Sequence, residues 1–147
     1  MELCSIQLRE EVRVSNEFLN VTELLPHEDV VSERMDKLID YLLSLKPYII
    51  IPSILICSKS NMIIDGHHRF YALQKLGYKK VPVTKLNYNS DLITTHIDNV
   101  ISKKELLHAA LHCEMLPPKS SFHHVIDVKF KFQPIILLSV LTRLDYA

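Results

Sequence analysis

The chain has 147 residues, of which 48% are hydrophobic and 23% charged, and its 17 basic side chains balance its 17 acidic ones. This size and composition are typical of one folded domain with a hydrophobic core, and they exclude a disordered or collagen-like chain. A net charge of zero also argues against general DNA or RNA binding, which depends on basic surfaces that displace counterions from phosphates.

The cysteines and the chain ends give an expectation about the cellular compartment. Cys4, Cys57 and Cys113 are widely spaced and include no Cys-X-X-Cys pair, so we expect neither a disulfide framework nor a zinc knuckle. The N-terminus lacks a basic region followed by an apolar run, which predicts that there is no signal peptide. The longest apolar run near the end, residues 135–141, is too short to cross a bilayer. These features predict a cytoplasmic protein without a membrane partner.

The first third of the chain predicts one strand and one amphipathic helix. Residues 1–16 alternate only weakly in hydrophobicity and are compatible with an edge strand or an extension; in the domain assignment, residues 1–17 are the N-terminal extension. Residues 18–21 favour a short strand. Ser32 is a suitable N-cap for a helix that Pro47 ends. The apolar side of that helix recurs at i, i+3, i+4 and i+7, in Met35, Leu38, Ile39 and Leu42.

A β-hairpin and a strand–turn–helix unit are predicted next. Residues 54–56 and 62–64 are apolar, mostly β-branched and separated by the polar turn 58–61, so they predict the hairpin. The second strand runs into Asp65-Gly66-His67-His68-Arg69, and a helical pattern then continues to Gly77. The chain contains only two glycines, and they lie at the two ends of this helix. Positive φ values are commonly required at such ends.

A further strand, a helix and a last strand follow. Residues 81–86 favour a strand at the edge of a sheet or one that starts at its proline, because Pro82 lacks an N–H for a ladder hydrogen bond. Ser102 and Glu105 form a capping box. The apolar side of the helix that they open is predicted to contain Leu107, Ala110 and Leu111. Alternation over residues 125–132 predicts a strand with one buried face.

Three polar clusters lie at boundaries between predicted elements, where functional side chains are commonly placed. The strongest is residues 65–69, because a helix start attracts anions and the arginine and two histidines add donors suited to phosphate. Adjacent histidines point in different directions on a helix, so zinc is not favoured there. The other clusters are His27-Glu28 and residues 119–124, and each of these is also compatible with an ordinary solvated loop.

These clusters, taken together, resemble a known family. Residues 64–83 resemble the core of the ParB/sulfiredoxin-like superfamily, at Ile64-Asp65-Gly66-His67-His68-Arg69, Ala72-Leu73, Leu76-Gly77 and Val81-Pro82-Val83. Within that superfamily, the Asp-Gly-His-His-Arg form is similar to the free serine kinases. Residues 25–28 resemble the Pro-His-Glu segment of these kinases, and residues 116–121 resemble their Pro-Pro-Lys-Thr-Thr-Arg-His segment. The resemblance covers about residues 18–138 and leaves residues 139–147 as a C-terminal tail.

The resemblance implies an α+β (mixed α/β) domain with the ParB/sulfiredoxin-like fold, a small mixed sheet flanked by helices. It implies a Mg²⁺-dependent kinase that transfers a phosphoryl group from ADP or ATP to free L-serine and forms O-phosphoserine. Glu28 would accept the proton of the serine hydroxyl or align it. Asp65 would act in catalysis, either by holding Mg²⁺ or by orienting a ligand through water. The phosphates would be bound by Gly66, His67, His68 and Arg69. The substrate would be bound by His27, Lys119, Ser120, Ser121 and His123.

One departure from the family and three alternative functions remain open. The family's arginine is Phe122 here, and phenylalanine cannot make a planar two-point contact with carboxylate or phosphate. A ParB-like DNA-partition or nuclease module would bind DNA in a salt-dependent way, but the neutral charge disfavours it. Sulfiredoxin chemistry needs a thiolate where His67 stands. The third alternative is a nucleotide-binding protein without kinase activity.

Overall fold

The structure, a computed structural model, describes residues 13–45, 48–90, 93–95, 102–117, 123–125 and 135–137. The strands are β1 Arg13–Asn20, β2 Tyr48–Ile50, β3 Ile54–Cys57, β4 Ile63–Asp65, β5 Lys80–Leu86, β6 Ile93–Thr95, β7 His123–Val125 and β8 Ile135–Leu137. The α-helices are α1 Ser32–Ser44, α2 His67–Lys75 and α3 Lys103–Leu111. The predicted α+β class is confirmed. None of the described helices has the length and apolar character needed to cross a membrane.

The main sheet has four strands in the order β1-β5-β3-β4. β3 and β4 form the predicted antiparallel hairpin, in which Ile56 lies opposite Ile63. β5 runs parallel to β3, with Ile54 opposite Val83, and antiparallel to β1. Two small sheets pair β2 with β8 and β6 with β7. The sheet is therefore mixed, as the resemblance implied.

Helices pack on both faces of this sheet. Because successive side chains of a strand point to opposite faces, β3 contributes Ile54 and Ile56 to one hydrophobic cluster and Leu55 and Cys57 to another. The first cluster also contains buried residues of α1 and α2, namely Leu42, Phe70, Ala72 and Leu73. The second contains Leu106 and Ala110 of α3. The turn between β4 and α2 thus joins this sheet, which is buried on both faces, to a helix that packs in the first cluster.

The strand predicted at residues 18–21 begins earlier than expected, and the prediction for β5 was wrong. β1 begins at Arg13, pairs along its length with β5 and lies at the edge of the sheet, in agreement with the edge-strand alternative for the N-terminal residues. β5 is an inner strand, although Pro82 favoured an edge. The pairing with β3 begins only at Val83, so Pro82 has β1 as its one strand neighbour, where it lies opposite Phe18. The proline is tolerated because, like a residue of an edge strand, it has a neighbouring described strand on one side only.

The buried face of α3 also differs from the prediction. Ser102 is the N-cap and accepts a hydrogen bond from the backbone N–H of Glu105 at 3.2 Å, as predicted. Leu106 is fully buried, however, whereas Leu111 is 56% exposed. Residues at 106, 109 and 110 share the same i, i+3, i+4 spacing as 107, 110 and 111. Helical periodicity alone therefore does not decide which of two adjacent stripes faces the sheet.

A pair of leucine substitutions in α3 tests this assignment. Leu106→Ala is expected to lower the free energy of unfolding by about 2–5 kcal/mol, because it leaves a cavity in the core. Leu111→Ala, the same chemical change on the exposed side, is expected to alter it by less than about 0.5 kcal/mol. Urea denaturation of both variants measures the difference. Equal losses would contradict the orientation of α3.

Candidate functional site

The strongest cluster lies on a strand–turn–helix unit, as predicted. β4 ends at Asp65, Gly66 has φ 112° and ψ 27°, and α2 begins at His67. The N–H of Phe70 donates to the Gly66 carbonyl at 2.9 Å, which closes the first helical turn. A positive φ is costly for residues with a Cβ, which explains the glycine. The start of an α-helix presents N–H groups that its own turns do not use and the positive end of its dipole, so this turn is suited to an anion.

The Arg69 side chain folds back over this turn. Its Nη2 donates to Oδ2 of Asp65 at 3.0 Å. A Cβ added at Gly66 would lie only 2.7 Å from Nη2 and 2.9 Å from Nε, so the guanidinium occupies the space that glycine leaves open. The Arg69 side chain is 15% exposed and that of Asp65 48%. The buried Nε of Arg69 has no hydrogen-bond partner in the part of the chain that the structure describes. A planar donor held at a helix start is suited to phosphate.

The two histidines bind the protein backbone through Nε2. Nε2 of His67, whose side chain is buried, accepts the backbone N–H of His27 at 3.1 Å. Nε2 of His68 accepts the backbone N–H of Val31 at 3.2 Å. An imidazole nitrogen that accepts a hydrogen bond carries no proton, so the neutral rings carry theirs on Nδ1. In this arrangement, the predicted contact of these rings with phosphate is limited to Nδ1.

The loop that carries Glu28 is thereby held against the first turn of α2. The loop is also paired with Leu116, whose N–H donates to the His27 carbonyl and whose carbonyl accepts the Asp29 N–H, both at 2.8 Å. Glu28 itself is buried, with 6% exposure. Leu116 lies three residues before Lys119, where the third predicted cluster begins in the sequence. No sequence signal marks Leu116, because it acts through backbone groups that every residue except proline shares.

Tyr71 lies near the same loop and was not singled out in the sequence. Burial, and then the negative charge of Asp29, raise the pKa of Tyr71. The charge of Asp29 therefore lies close enough to Tyr71 to disfavour ionisation of its hydroxyl. Tyr71 lies one helical turn beyond His67 and His68. This spacing is the sequence feature from which its position near the loop could have been predicted.

The remaining predicted residues are only partly covered by the structure. Lys119, Ser120 and Ser121 lie outside the described residues, and of His123 the structure gives the backbone, paired with Thr95 in β6. Their roles stay predictions. Among the described residues, no three His, Cys, Asp or Glu side chains come together as a metal site. One carboxylate such as Asp65 is nevertheless compatible with Mg²⁺, which commonly takes its other ligands from substrate phosphates and water.

Comparisons with known proteins agree with the motifs. No protein-family model matches the chain. A segment of 80 residues, 52% of this chain, is 36% identical to a ParB-like protein of Sulfolobus acidocaldarius and covers 37% of it. A segment of 76 residues, 48% of this chain, is 38% identical to an ATP-dependent L-serine kinase of Staphylothermus marinus and covers 29% of it. The chain thus matches little more than a third, at most, of the length of these curated relatives.

The structural comparison covers more of the chain. A free serine kinase in complex with ADP superposes with a TM-score of 0.70 over 88% of this chain and 95% of that one, at 16% identity. At this identity the match establishes the fold, which is that of the free serine kinases. The resemblance expected from the three segments is confirmed.

Proposed function

We propose that this chain phosphorylates free L-serine to O-phosphoserine, with ADP or ATP as the phosphoryl donor. The observation that carries the proposal is the hydrogen bonding that holds the backbone on both sides of Glu28, a buried residue, against His67 and His68 in the first turn of α2. The same turn contains Gly66 and the folded-back Arg69. An acid beside a phosphate-binding turn is the arrangement that phosphoryl transfer to a hydroxyl requires. The names of the relatives and the shared fold support it.

The helix start would bind the donor's phosphates. Phosphoryl transfer needs little covalent help from the protein; it needs alignment of the reacting oxygens and neutralisation of the charge on the phosphate. The first N–H groups of α2 and the guanidinium of Arg69 supply such donors, and the bare backbone of Gly66 lets them approach closely. Asp65, at the end of β4, is the residue that would hold Mg²⁺ beside them. Mg²⁺ held there would supply positive charge that offsets the negative charge of the phosphates.

Glu28 would align the acceptor. As the serine hydroxyl oxygen forms its bond to the terminal phosphorus, the bond from that phosphorus to the bridging oxygen breaks. AMP leaves if the donor is ADP, and ADP leaves if it is ATP. The hydroxyl proton passes to the carboxylate of Glu28, which acts as a general base. His27 is fully buried and its ring meets that of His67 edge to face at 4.6 Å, which fits support of Glu28 better than direct contact with serine.

The other predicted residues complete the proposal. Lys119, Ser120, Ser121 and His123 are proposed to bind the carboxylate and amino group of serine, a proposal supported by the backbone pairing of Leu116, three residues before Lys119, with the loop of Glu28. The partners are then a nucleotide and a free amino acid, in a cytoplasmic setting and without nucleic acid or membrane. A second candidate is a nucleotide-binding protein without kinase activity. It is favoured by Phe122, which stands where the family has an arginine.

Direct product detection tests the proposal. The protein is incubated with L-serine, Mg²⁺ and either ADP or ATP, and O-phosphoserine is measured by mass spectrometry, with D-serine and chelator-treated samples as controls. We expect product with L-serine and Mg²⁺ only. Nucleotide binding without product would favour the second candidate. DNA binding that weakens steeply with salt would favour a ParB-like module instead.

A further inference from the structure

We infer that His67 and His68 are positioning residues that hold Glu28 in place through their Nε2 atoms. The consequence for catalysis rests on the proposed function, whereas the hydrogen bonds themselves do not. This role differs from the phosphate contact predicted for the two rings, because it requires each ring to accept a hydrogen bond rather than to donate one.

The hydrogen bonds of His67 and His68 hold the backbone on either side of Glu28. His67 binds the N–H of His27, directly before Glu28, and His68 binds the N–H of Val31, three residues after it. Neighbouring residues on a helix project in different directions, about 100° apart. Two adjacent rings are therefore well placed to reach two points along a loop, and poorly placed to converge on one phosphate.

The hydrogen bonds to His67 and His68 are important for the position of the loop, because its pairing with Leu116 does not satisfy the same backbone groups. The pairing with Leu116 holds the middle of the loop, at His27 and Asp29. Without an acceptor on α2, the N–H of His27 would stay unsatisfied beside a buried side chain, and the loop would have to shift to reach another acceptor or water. Such a shift would displace the carboxylate of Glu28 from the phosphate-binding turn. A misplacement of about 1 Å is enough to reduce an enzyme's rate about 10²-fold.

Amide side chains can separate the two roles of each ring. Glutamine places its side-chain oxygen at about the distance of Nε2 from the backbone, whereas asparagine places its polar atoms near Nδ1. His67→Gln and His68→Gln therefore keep an acceptor for the loop, and His67→Asn and His68→Asn do not. All four variants are neutral amides, and the members of each pair differ by one methylene group.

The kinetic comparison uses the full chain with saturating L-serine. We expect His67→Gln to keep most of the kcat, and His67→Asn to lose about 10²-fold in kcat with little change in the KM for nucleotide, as a displaced Glu28 requires. The same order is expected at His68. The reverse order, with asparagine active and glutamine losing nucleotide affinity, would show that the rings donate to phosphate through Nδ1 and would overturn the inference.

Hydrogen exchange gives a readout that does not depend on kinase activity. In the wild type, NMR is expected to show both rings in the Nδ1–H form and slowed exchange at the His27 amide. His67→Asn should accelerate exchange at His27 more than His67→Gln does. Rings protonated on Nε2, or equal exchange in the two variants, would overturn the inference. If the exchange results hold but the wild type makes no O-phosphoserine, the proposed function fails while the positioning of the loop stands.

Discussion

Replacing Glu28 by glutamine is expected to lower the kcat for O-phosphoserine formation by about 10²- to 10⁴-fold, the usual contribution of a general base. Glutamine has almost the same shape as glutamate, so the buried side chain still fits and the backbone pairing with Leu116 is preserved. The amide, however, cannot take the hydroxyl proton. Because the turn proposed to bind phosphate is untouched, the Kd for nucleotide is expected to stay near that of the wild type.

The control for this prediction is Glu33→Gln, which removes the same charge from an exposed site. Glu33 lies in the first turn of α1 with a side chain that is 79% exposed, and it pairs only with the equally exposed Lys37 at 3.5 Å among its described ion-pair contacts. Surface pairs of this kind contribute little. Initial rates of both variants, with nucleotide binding measured by calorimetry, provide the comparison. If Glu28→Gln forms product as fast as Glu33→Gln, Glu28 is not the base.

The conformation of the turn between β4 and α2 could be predicted from the sequence because its determinants are local. An apolar strand, a glycine and a run of polar residues at a helix start are all adjacent in the chain. Gly66 adopts the positive φ that its position indicated, and Arg69 reaches Asp65 across one helical turn. Each of these relations spans four residues or fewer, so it depends only on residues that are close together in the sequence.

The arrangement around Glu28 could not be predicted in the same way. Its supporting hydrogen bonds join residues about forty positions apart, as between His27 and His67, and one partner in each is a backbone group. Any residue other than proline supplies such a group, so no residue type indicates the pairing. The roles of the histidines were therefore assigned from their capacity to bind anions, and their acceptor role became visible only from the fold. The prediction that Pro82 marks an edge strand was wrong for a related reason. The strand neighbours of Pro82 depend on where β3 begins to pair with β5.

Gly66→Ala is expected to impair catalysis far more than its cost in stability would indicate. Gly66 has φ 112°, so alanine should lower the free energy of unfolding by about 1–2 kcal/mol. The new Cβ would also lie 2.7 Å from Nη2 of Arg69. A guanidinium is the far end of a flexible side chain, so the arginine can move away at little energetic cost. Its displacement from the helix start is expected to reduce kcat/KM by about 10²-fold.

Gly77→Ala separates the effect of backbone strain from the effect of displacing Arg69. It introduces similar strain, but its new Cβ has no contact with an arginine. Gly77 has φ 89° at the other end of α2, and no described atom lies within 4 Å of a Cβ built there. Both variants should therefore lose similar stability in urea denaturation, while only Gly66→Ala should lose kcat/KM and nucleotide affinity. Equal kinetics in the two variants would mean that the position of Arg69 does not matter for the donor. A much larger loss of stability in Gly66→Ala would instead mean that the arginine cannot move, and that the turn is rigid.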